Sequence, residues 1–306
     1  DPPGTATLTF TPSIVIKRKS VTLTCSVDDP GKPAKIQYRW SRGQRVIAEV
    51  VSGSWTIEPV TLETQGNFTC SAVNEVGGGP SATVHIVVYA PPTFIDRLPH
   101  YYGALMTSAY VNISCRVECD PLCEIHWYKN GMVIDSTRYY TITTDILPPD
   151  SSTDDFRSVM STLVWNLSAL PGGRLDRHAN NANYTCSSSD NLVGPGQTST
   201  AYFRVEYPPE NITVSALSVD MVEGETPTKV RVRCRAYSYP ESSYRWIHRN
   251  QTIPSGEVLQ FPSGILREQS GTYTCIASNR HGQVFRDVFV NVLCKPTINS
   301  VLFSKP

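Results

Sequence analysis

The sequence lacks long apolar runs, an excess of charge of one sign, and the short motifs that mark common catalytic sites. No stretch of its 306 residues approaches the roughly 20 apolar residues that a membrane-spanning helix needs, so a signal peptide or anchor is expected outside this sequence. The 27 Lys and Arg residues balance 27 Asp and Glu residues, which excludes a strong overall attraction to nucleic acid or to an anionic membrane. We find no nucleophile elbow, phosphate-binding glycine loop or zinc-protease helix motif, and the six histidines are scattered. The sequence therefore predicts binding without catalysis, with no cofactor and no metal.

Cysteines and N-glycosylation acceptors, in contrast, are numerous. The chain has nine cysteines, a number typical of proteins that fold in an oxidising compartment. It also has six Asn-x-Ser/Thr acceptors, which are used only in the secretory pathway. Together these features predict a disulfide-bonded extracellular glycoprotein. The acceptors are Asn67, Asn112, Asn166, Asn183, Asn211 and Asn250.

One arrangement of residues occurs three times along the chain. In each copy an alternating apolar segment ends in a cysteine, a tryptophan follows, and an aromatic residue stands two positions before a second cysteine. Alternation with period two turns one face of a strand inward, so each copy predicts a half-buried sheet. The first copy is residues 21–25, Trp40 and 66–70; the second is 111–115, Trp127 and 183–186; the third is 230–234, Trp246 and 271–275.

These residues resemble those of immunoglobulin-superfamily cell-adhesion receptors, mostly of the I-set or C2 kind, over nearly the whole chain. Within that superfamily the sequence resembles arthropod receptors of the echinoid, nephrin and sidestep type. The resemblance implies an all-β fold of three tandem immunoglobulin-like β-sandwiches in an extended rod. It also implies that a disulfide joins the two sheets of each sandwich beside the tryptophan. The implied pairs are Cys25 with Cys70, Cys115 with Cys186, and Cys234 with Cys275.

The aromatic residue before the second cysteine corresponds to the corner residue of strand F in this family. Tyr184 and Tyr273 carry the hydroxyl that can hydrogen-bond back to the chain. Phe68 has no hydroxyl, so we expect the first domain to lack that bond.

Prolines mark the predicted domain boundaries. They occur in the segments 89–92 and 207–209. Because proline fixes φ and removes an amide donor, we expect each segment to end one sandwich and begin the next without a flexible spacer. The predicted domains are residues 1–90, 91–208 and 209–294, with 295–306 as a linker or the start of a further domain.

The second domain departs from the other two because more chain separates its core cysteines. The extra residues lie in the acidic, proline-rich segment 145–155 and in residues 171–174. Loops at the ends of a sandwich often carry recognition, but a mobile, solvated insertion is the interpretation we favour. Asp150, Asp154 and Asp155 would also suit calcium, although acids spaced along a loop are usually only solvated.

The remaining cysteines leave two questions. Cys115, Cys119, Cys123 and His126 have a spacing compatible with zinc. Because the repeat assigns Cys115 to Cys186, we favour a small disulfide ring from Cys119 to Cys123 and no metal. Cys294 has no mate, and we favour a bond elsewhere in the full-length protein, or burial, over a bond between two chains.

The third domain is the predicted binding region. Alternation from Lys229 to Arg235 turns the valines inward and four cations outward, which suits an acidic partner, a sulfated glycan or a simply hydrated face. Acceptor asparagines shade sheet faces of the first two domains and leave both sheets of the third open. The candidate partner-binding residues are Arg231 and Arg233 on one sheet, and Arg245 and Ile247 on the other.

We therefore expect a fragment of a cell-surface adhesion or recognition receptor, the ectodomain of a single-pass membrane protein. It would mediate cell–cell contact through homophilic or heterophilic binding to another immunoglobulin-superfamily ectodomain. The alternatives are a structural spacer or matrix-associated rod, or the ligand-binding ectodomain of a signalling receptor.

Overall fold

The computed structural model describes residues 1–224, 230–253, 255–261 and 264–294. Strands dominate the described residues, which confirms the all-β prediction. The chain forms two compact units. The first holds Asp1–Tyr102, Ala109–Gly173 and Ala182–Phe203; the second holds Gly103–Ser108, Arg174–Asn181 and the chain from Arg204 onward. The predicted linker at 295–306 lies outside the described residues.

The first sandwich of the first unit has one sheet in the order β1–β3–β6 and a second in the order β5–β4–β7–β8. Val21, Leu23 and Cys25 are buried along β3 while the threonines between them are not, as period-two alternation requires. A 3₁₀ turn at Leu62–Thr64 precedes β7. The strands are β1 (Ala6–Thr11), β2 (Val15–Ile16), β3 (Val21–Val27), β4 (Gln37–Arg42), β5 (Arg45–Ile47), β6 (Ser54–Ile57), β7 (Gly66–Val73), β8 (Ala82–Ile86) and β9 (Val88–Asp96).

The second sandwich has one sheet in the order β14–β15–β11–β9–β2, while β13–β12–β16 continues into the first part of β17. The antiparallel register of β16 and β17 runs from Ala182 opposite Phe203 to Ser187 opposite Thr198. Short 3₁₀ turns occupy Leu167–Ala169 and Pro171–Gly173, and the helix α1 spans Arg177–Asn180. The strands are β10 (Tyr101–Leu105), β11 (Asn112–Asp120), β12 (Ile125–Lys129), β13 (Met132–Ile134), β14 (Tyr140–Leu147), β15 (Ser158–Trp165), β16 (Ala182–Ser188) and β17 (Thr198–Val214).

The third sandwich belongs to the second unit. One of its sheets has the order β18–β24–β23–β20–β21, and in the other β19 lies between β22 and the last part of β17. A 3₁₀ turn spans Arg267–Gln269 before β23. The strands are β18 (Ser218–Val222), β19 (Val232–Tyr239), β20 (Ser243–His248), β21 (Gln251–Ile253), β22 (Val258–Leu259), β23 (Gly271–Asn279) and β24 (Gly282–Leu293).

Disulfides join the two sheets of each sandwich, in the pairing that the repeat predicts. The Cα atoms of the paired cysteines are 6.4 to 6.6 Å apart, within the usual range for a bridge. One tryptophan is completely buried in each sandwich, so each repeat builds its own core around the same pair of side-chain types. The pairs are Cys25–Cys70, Cys115–Cys186 and Cys234–Cys275, and the tryptophans are Trp40, Trp127 and Trp246.

The corner aromatic residues use their hydroxyl groups differently. The hydroxyl of Tyr273 donates to the carbonyl oxygen of Gln269 at 2.9 Å, four residues upstream. Burial raises the pKa of Tyr273, so this hydroxyl keeps its proton at neutral pH. The hydroxyl of Tyr184 lies 3.1 Å from that of Tyr140 on β14. Phe68 is completely buried and has no such group, as the sequence predicts.

We expect Tyr273→Phe to lower the free energy of unfolding of the third sandwich by about 1 kcal/mol, because it removes one buried hydrogen bond and little volume. Hydrogen exchange of the β23 and β24 amides at increasing urea concentration, compared between the wild-type and variant chains, measures the change in the third sandwich. A loss below the error of the measurement would show that the corner hydrogen bond contributes nothing in this domain.

The prolines at the first boundary lie inside a strand rather than between strands. Pro91 and Pro92 are part of β9, whose first residues pair in parallel with β2 and whose later residues pair with β11. One continuous strand therefore serves the first two sandwiches, in agreement with the absence of a flexible spacer at 89–92.

The end of the insertion of the second sandwich contacts the first sandwich, whereas residues 148–153 and 171–174 are exposed, so its interpretation as a mobile, solvated loop stays a prediction. Residues 145–147 belong to β14, and Phe156 is 1% exposed within the hydrophobic core of the first sandwich. Asp154 accepts a hydrogen bond from the backbone amide of Leu62 at 2.6 Å. The sequence signal for this contact was weak, since a single aromatic residue after a run of polar ones has no periodicity.

A buried ion pair lies beside Phe156. The Nζ of Lys17 is 2.7 Å from Oε1 of Glu118, and both side chains are 5% exposed. The same Glu118 oxygen accepts from the amide of Phe156 at 2.6 Å, and Lys17 also donates to the carbonyl oxygen of Asp154. The ammonium group lies 5.4 Å from the centre of the Phe156 ring. The Nζ of Lys17 and the Oε1 of Glu118 thus each have two polar partners, which offsets the cost of burying their charges.

Candidate functional site

The predicted basic face of the third sandwich is only partly positive. Arg231 precedes β19 rather than lying within it, because the strand begins at Val232, and Lys229 lies outside the described residues. The Nε atoms of Arg233 and Arg235 lie 3.4 and 2.9 Å from the same carboxylate oxygen of Glu257. The hydrogen bond that Arg235 donates to Glu257 raises the pKa of Arg235 above its usual value. Arg231, Arg233 and Arg235 are exposed, but the carboxylate of Glu257 pairs with two of them.

The other sheet of the third sandwich presents a different kind of surface. Arg245, Ile276 and Phe285 stand opposite one another on β20, β23 and β24, and they form one row across the outer face of that sheet. Ile276 is only 4% exposed although it faces away from the core, whereas Phe285 is 56% exposed. Opposite side chains on one sheet face lie within contact range, so the neighbours in the row shield Ile276.

The next rows extend this surface along the strands. Ile247, Thr274 and Asp287 form the second row, and Phe289 stands opposite Thr272 in the third. Thr274 donates to Asp287 at 2.6 Å, and Phe289 is 48% exposed. We call Arg245, Ile247, Ile276, Phe285 and Phe289 the recognition face.

The four candidate residues from the sequence are divided between the two sheets of the third sandwich. Arg231 and Arg233 lie at or on β19, while Arg245 and Ile247 lie on β20 in the other sheet. Sequence reasoning missed Phe285 and Phe289. The signal was available, since residues 284–292 alternate around the buried Val288, Val290 and Val292, and alternation places the phenylalanines outward.

No glycosylation acceptor occurs within β20, β23 or β24, although Asn250 lies in the turn between β20 and β21. Asn67, Asn183, Asn211 and Asn250 are exposed, whereas Asn112 and Asn166 are half-buried. The Nδ2 atom of Asn166 donates to the carbonyl oxygens of Thr137 and Arg138, which holds this acceptor against the chain before β14. Their use as glycan sites stays a prediction.

Several of the candidate metal ligands of the second sandwich have other partners. Cys119 and Cys123 form a disulfide, which leaves no thiolates for the zinc arrangement. In the described part of the chain, His, Cys, Asp and Glu side chains form no group suited to a metal. Asp154, one of the three acids considered for calcium, instead bonds to the first sandwich. Cys294 is exposed, so burial does not explain its lack of a mate.

The pattern of sheets, disulfides and core tryptophans defines an immunoglobulin domain. The family model described as "Immunoglobulin domain" matches residues 5–88 and 210–292, and the chain belongs to that family. Within the described ranges, no helix has the length and apolar character needed to cross a bilayer.

Among curated proteins, the chain is 24% identical to human hemicentin-1 over 93% of its own length and 5% of that protein. It is 25% identical to human neural cell adhesion molecule 1 over 87% of its length and 31% of that protein. The chain thus spans less than a third of either relative. Domains 3–5 of the Drosophila OTK extracellular region match 95% of both chains with 17% identity and a TM-score of 0.46.

Proposed function

We propose that this chain is part of the extracellular region of a cell-adhesion or recognition receptor and that it binds another immunoglobulin-superfamily ectodomain. Its role is binding rather than catalysis, at the cell surface, with the boundaries 1–90, 91–208 and 209–294 as its domains. Membership of the immunoglobulin family supports this role, as does the likeness to a neural cell adhesion molecule.

The observation that carries the proposal is the recognition face of the third sandwich. Two half-exposed phenylalanines and the partly exposed Ile247 share one side of a sheet with the buried Ile276. Arg245 lies in the row of Phe285, and Asp287 lies in the row of Ile247 with Thr274 between them. Aromatic and aliphatic anchors inside a polar rim are characteristic of protein interfaces, with arginine also enriched there. A sheet face is also wide and shallow, which suits a second sheet better than a small molecule.

The basic face is a weaker candidate for the same role. Glu257 engages Arg233 and Arg235, so an acidic partner would have to displace an existing ion pair. Solvent-exposed pairs of this kind are worth about 0–1 kcal/mol, and a partner gains little from replacing one. We therefore assign recognition to the sheet of β20, β23 and β24.

Replacing Phe285 and Phe289 together with alanine is expected to weaken binding at least about tenfold, because it removes the two largest exposed apolar groups of the face. The glycosylated chain is first measured by analytical ultracentrifugation across concentration and by bead aggregation, which detects homophilic binding. If the chain stays monomeric, the same variants are used to test candidate immunoglobulin ectodomains.

The matched control is Arg231→Glu with Arg233→Glu, which changes the other sheet and leaves the recognition face intact. We expect this control to bind like the wild-type chain. Equal loss in both variants would indicate that the third sandwich no longer folds, which circular dichroism of the variants detects. Loss only in the arginine variant would transfer recognition to the basic face. Unchanged bead aggregation in the phenylalanine variant would favour a spacer or matrix role for this segment.

A further inference from the structure

A concave site lies in the second unit, on other strands than the recognition face. It has a volume of about 440 Å³, within the range of roughly 300–1,000 Å³ that small-molecule sites occupy. Among the described residues that line it, none is an aspartate or glutamate, and two are arginines. The lining residues come from α1 and the residue after it, from β17 and from β19: Arg177, His178, Asn181, Arg204, Val205, Tyr207, Tyr237 and Tyr239.

Both arginines of this cavity are oriented by aromatic rings. The Cζ atom of Arg177 lies 4.5 Å from the centre of the Tyr207 ring, and that of Arg204 lies 3.9 Å from the centre of the Tyr239 ring. Stacking of this kind is a cation–π interaction, and it fixes the plane of each guanidinium group. The two guanidinium groups are therefore already ordered before a ligand binds, which lowers the entropic cost of binding.

Arg177 is also held from its other side. Its Nη1 donates to Oε1 of Glu210 at 2.7 Å, and this hydrogen bond raises the pKa of Arg177. Even so, the guanidinium group has five N–H donors in all, and one carboxylate oxygen does not exhaust them. The cavity thus offers a permanently charged donor in a defined orientation.

The third tyrosine supplies an exposed ring. Tyr237 is 68% exposed on β19, and its side chain combines an apolar ring with a polar hydroxyl. Asn181 accepts from the amide of Val205 at 2.7 Å through its Oδ1, which leaves the amide NH₂ as its donor group. The cavity therefore combines a flat apolar surface, neutral hydrogen-bonding groups and cations.

We propose that this cavity binds an acidic saccharide. The carboxylate or sulfate group accepts hydrogen bonds from Arg177 and Arg204, since arginine matches the geometry of such anions. The apolar face of a pyranose ring packs on Tyr237, and Asn181 bonds to sugar hydroxyls. An acidic peptide fits less well, because Val205 is the one aliphatic residue among the described lining residues and it is buried. This inference does not depend on the recognition face.

Isothermal titration of the secreted, glycosylated chain with three probes tests the proposal. A heparin-derived octasaccharide supplies sulfate, 6′-sialyllactose supplies a carboxylate, and lactose supplies neither. We expect one of the acidic probes to bind and lactose to fail. Tyr237→Ala and Arg204→Gln are expected to weaken that binding about tenfold each, the effect of losing one good anchor. The acidic probe that binds identifies which anion the site accepts.

The matched control is Arg233→Gln, which removes one exposed cation from β19 outside the cavity. It should bind the acidic probe like the wild-type chain, and circular dichroism confirms that all variants fold. The proposal is overturned if neither acidic probe binds, if lactose binds equally, or if the control loses as much affinity as the cavity variants. Tighter binding of a poly-glutamate peptide than of either saccharide would also overturn it.

Discussion

Phe156→Ala is expected to lower the free energy of unfolding of the first sandwich by about 3–5 kcal/mol, although Phe156 belongs to the second. The ring lies in the core of the first sandwich and is 1% exposed. Its removal leaves a cavity that the neighbouring strands can fill only in part. The loss would be a large share of the roughly 5–15 kcal/mol that stabilises a typical domain.

Hydrogen exchange followed by mass spectrometry resolves this effect by segment. Amides of β3 and β7 should exchange faster in the variant, while those of β23 in the second unit should not change. Ile146→Ala is the matched control, because Ile146 is 62% exposed on β14 of the same insertion. If both variants exchange alike in β3 and β7, Phe156 does not support the first core.

Lys17→Met is expected to lower the free energy of unfolding of the first unit by about 3–5 kcal/mol, because it leaves the buried carboxylate of Glu118 without its cation. The two side chains are 5% exposed and 2.7 Å apart, so water cannot replace the missing partner. Denaturant unfolding of the whole chain, with the transition of the first unit followed by segment-resolved exchange, gives the change in free energy.

A second substitution should recover much of that loss. In Lys17→Met with Glu118→Gln the charge is gone, and the amide oxygen can still accept from the backbone of Phe156. Arg42→Met is the surface control, since Arg42 and Glu63 are 3.9 Å apart and more exposed, and such pairs contribute at most about 1 kcal/mol. If Lys17→Met alone is no less stable than Arg42→Met, the buried ion pair does not contribute to stability.

The sequence predicted best those features that repeat. Three copies of one pattern predict three sandwiches, because strand alternation, a core tryptophan and a pair of cysteines are each local signals with a fixed physical meaning. The small ring from Cys119 to Cys123 followed from what remained after the repeat was assigned. These predictions required no knowledge of how distant segments meet.

Features that depend on distant segments were missed or misread. Nothing local connects Lys17 with Glu118, or Phe156 with the core of the first sandwich. Glu257 is the residue before β22, and only the pairing of β22 with β19 brings it beside Arg233 and Arg235. For the same reason Ile276 is buried on an outer face, since its shielding comes from residues on two neighbouring strands.

The position of Phe156 limits how the chain can be divided. A protease or a splicing event that removed the second repeat would also take an aromatic ring from inside the first, and would remove Glu118, the carboxylate that pairs with Lys17. The first two repeats should therefore unfold together as one cooperative unit, however modular the sequence looks.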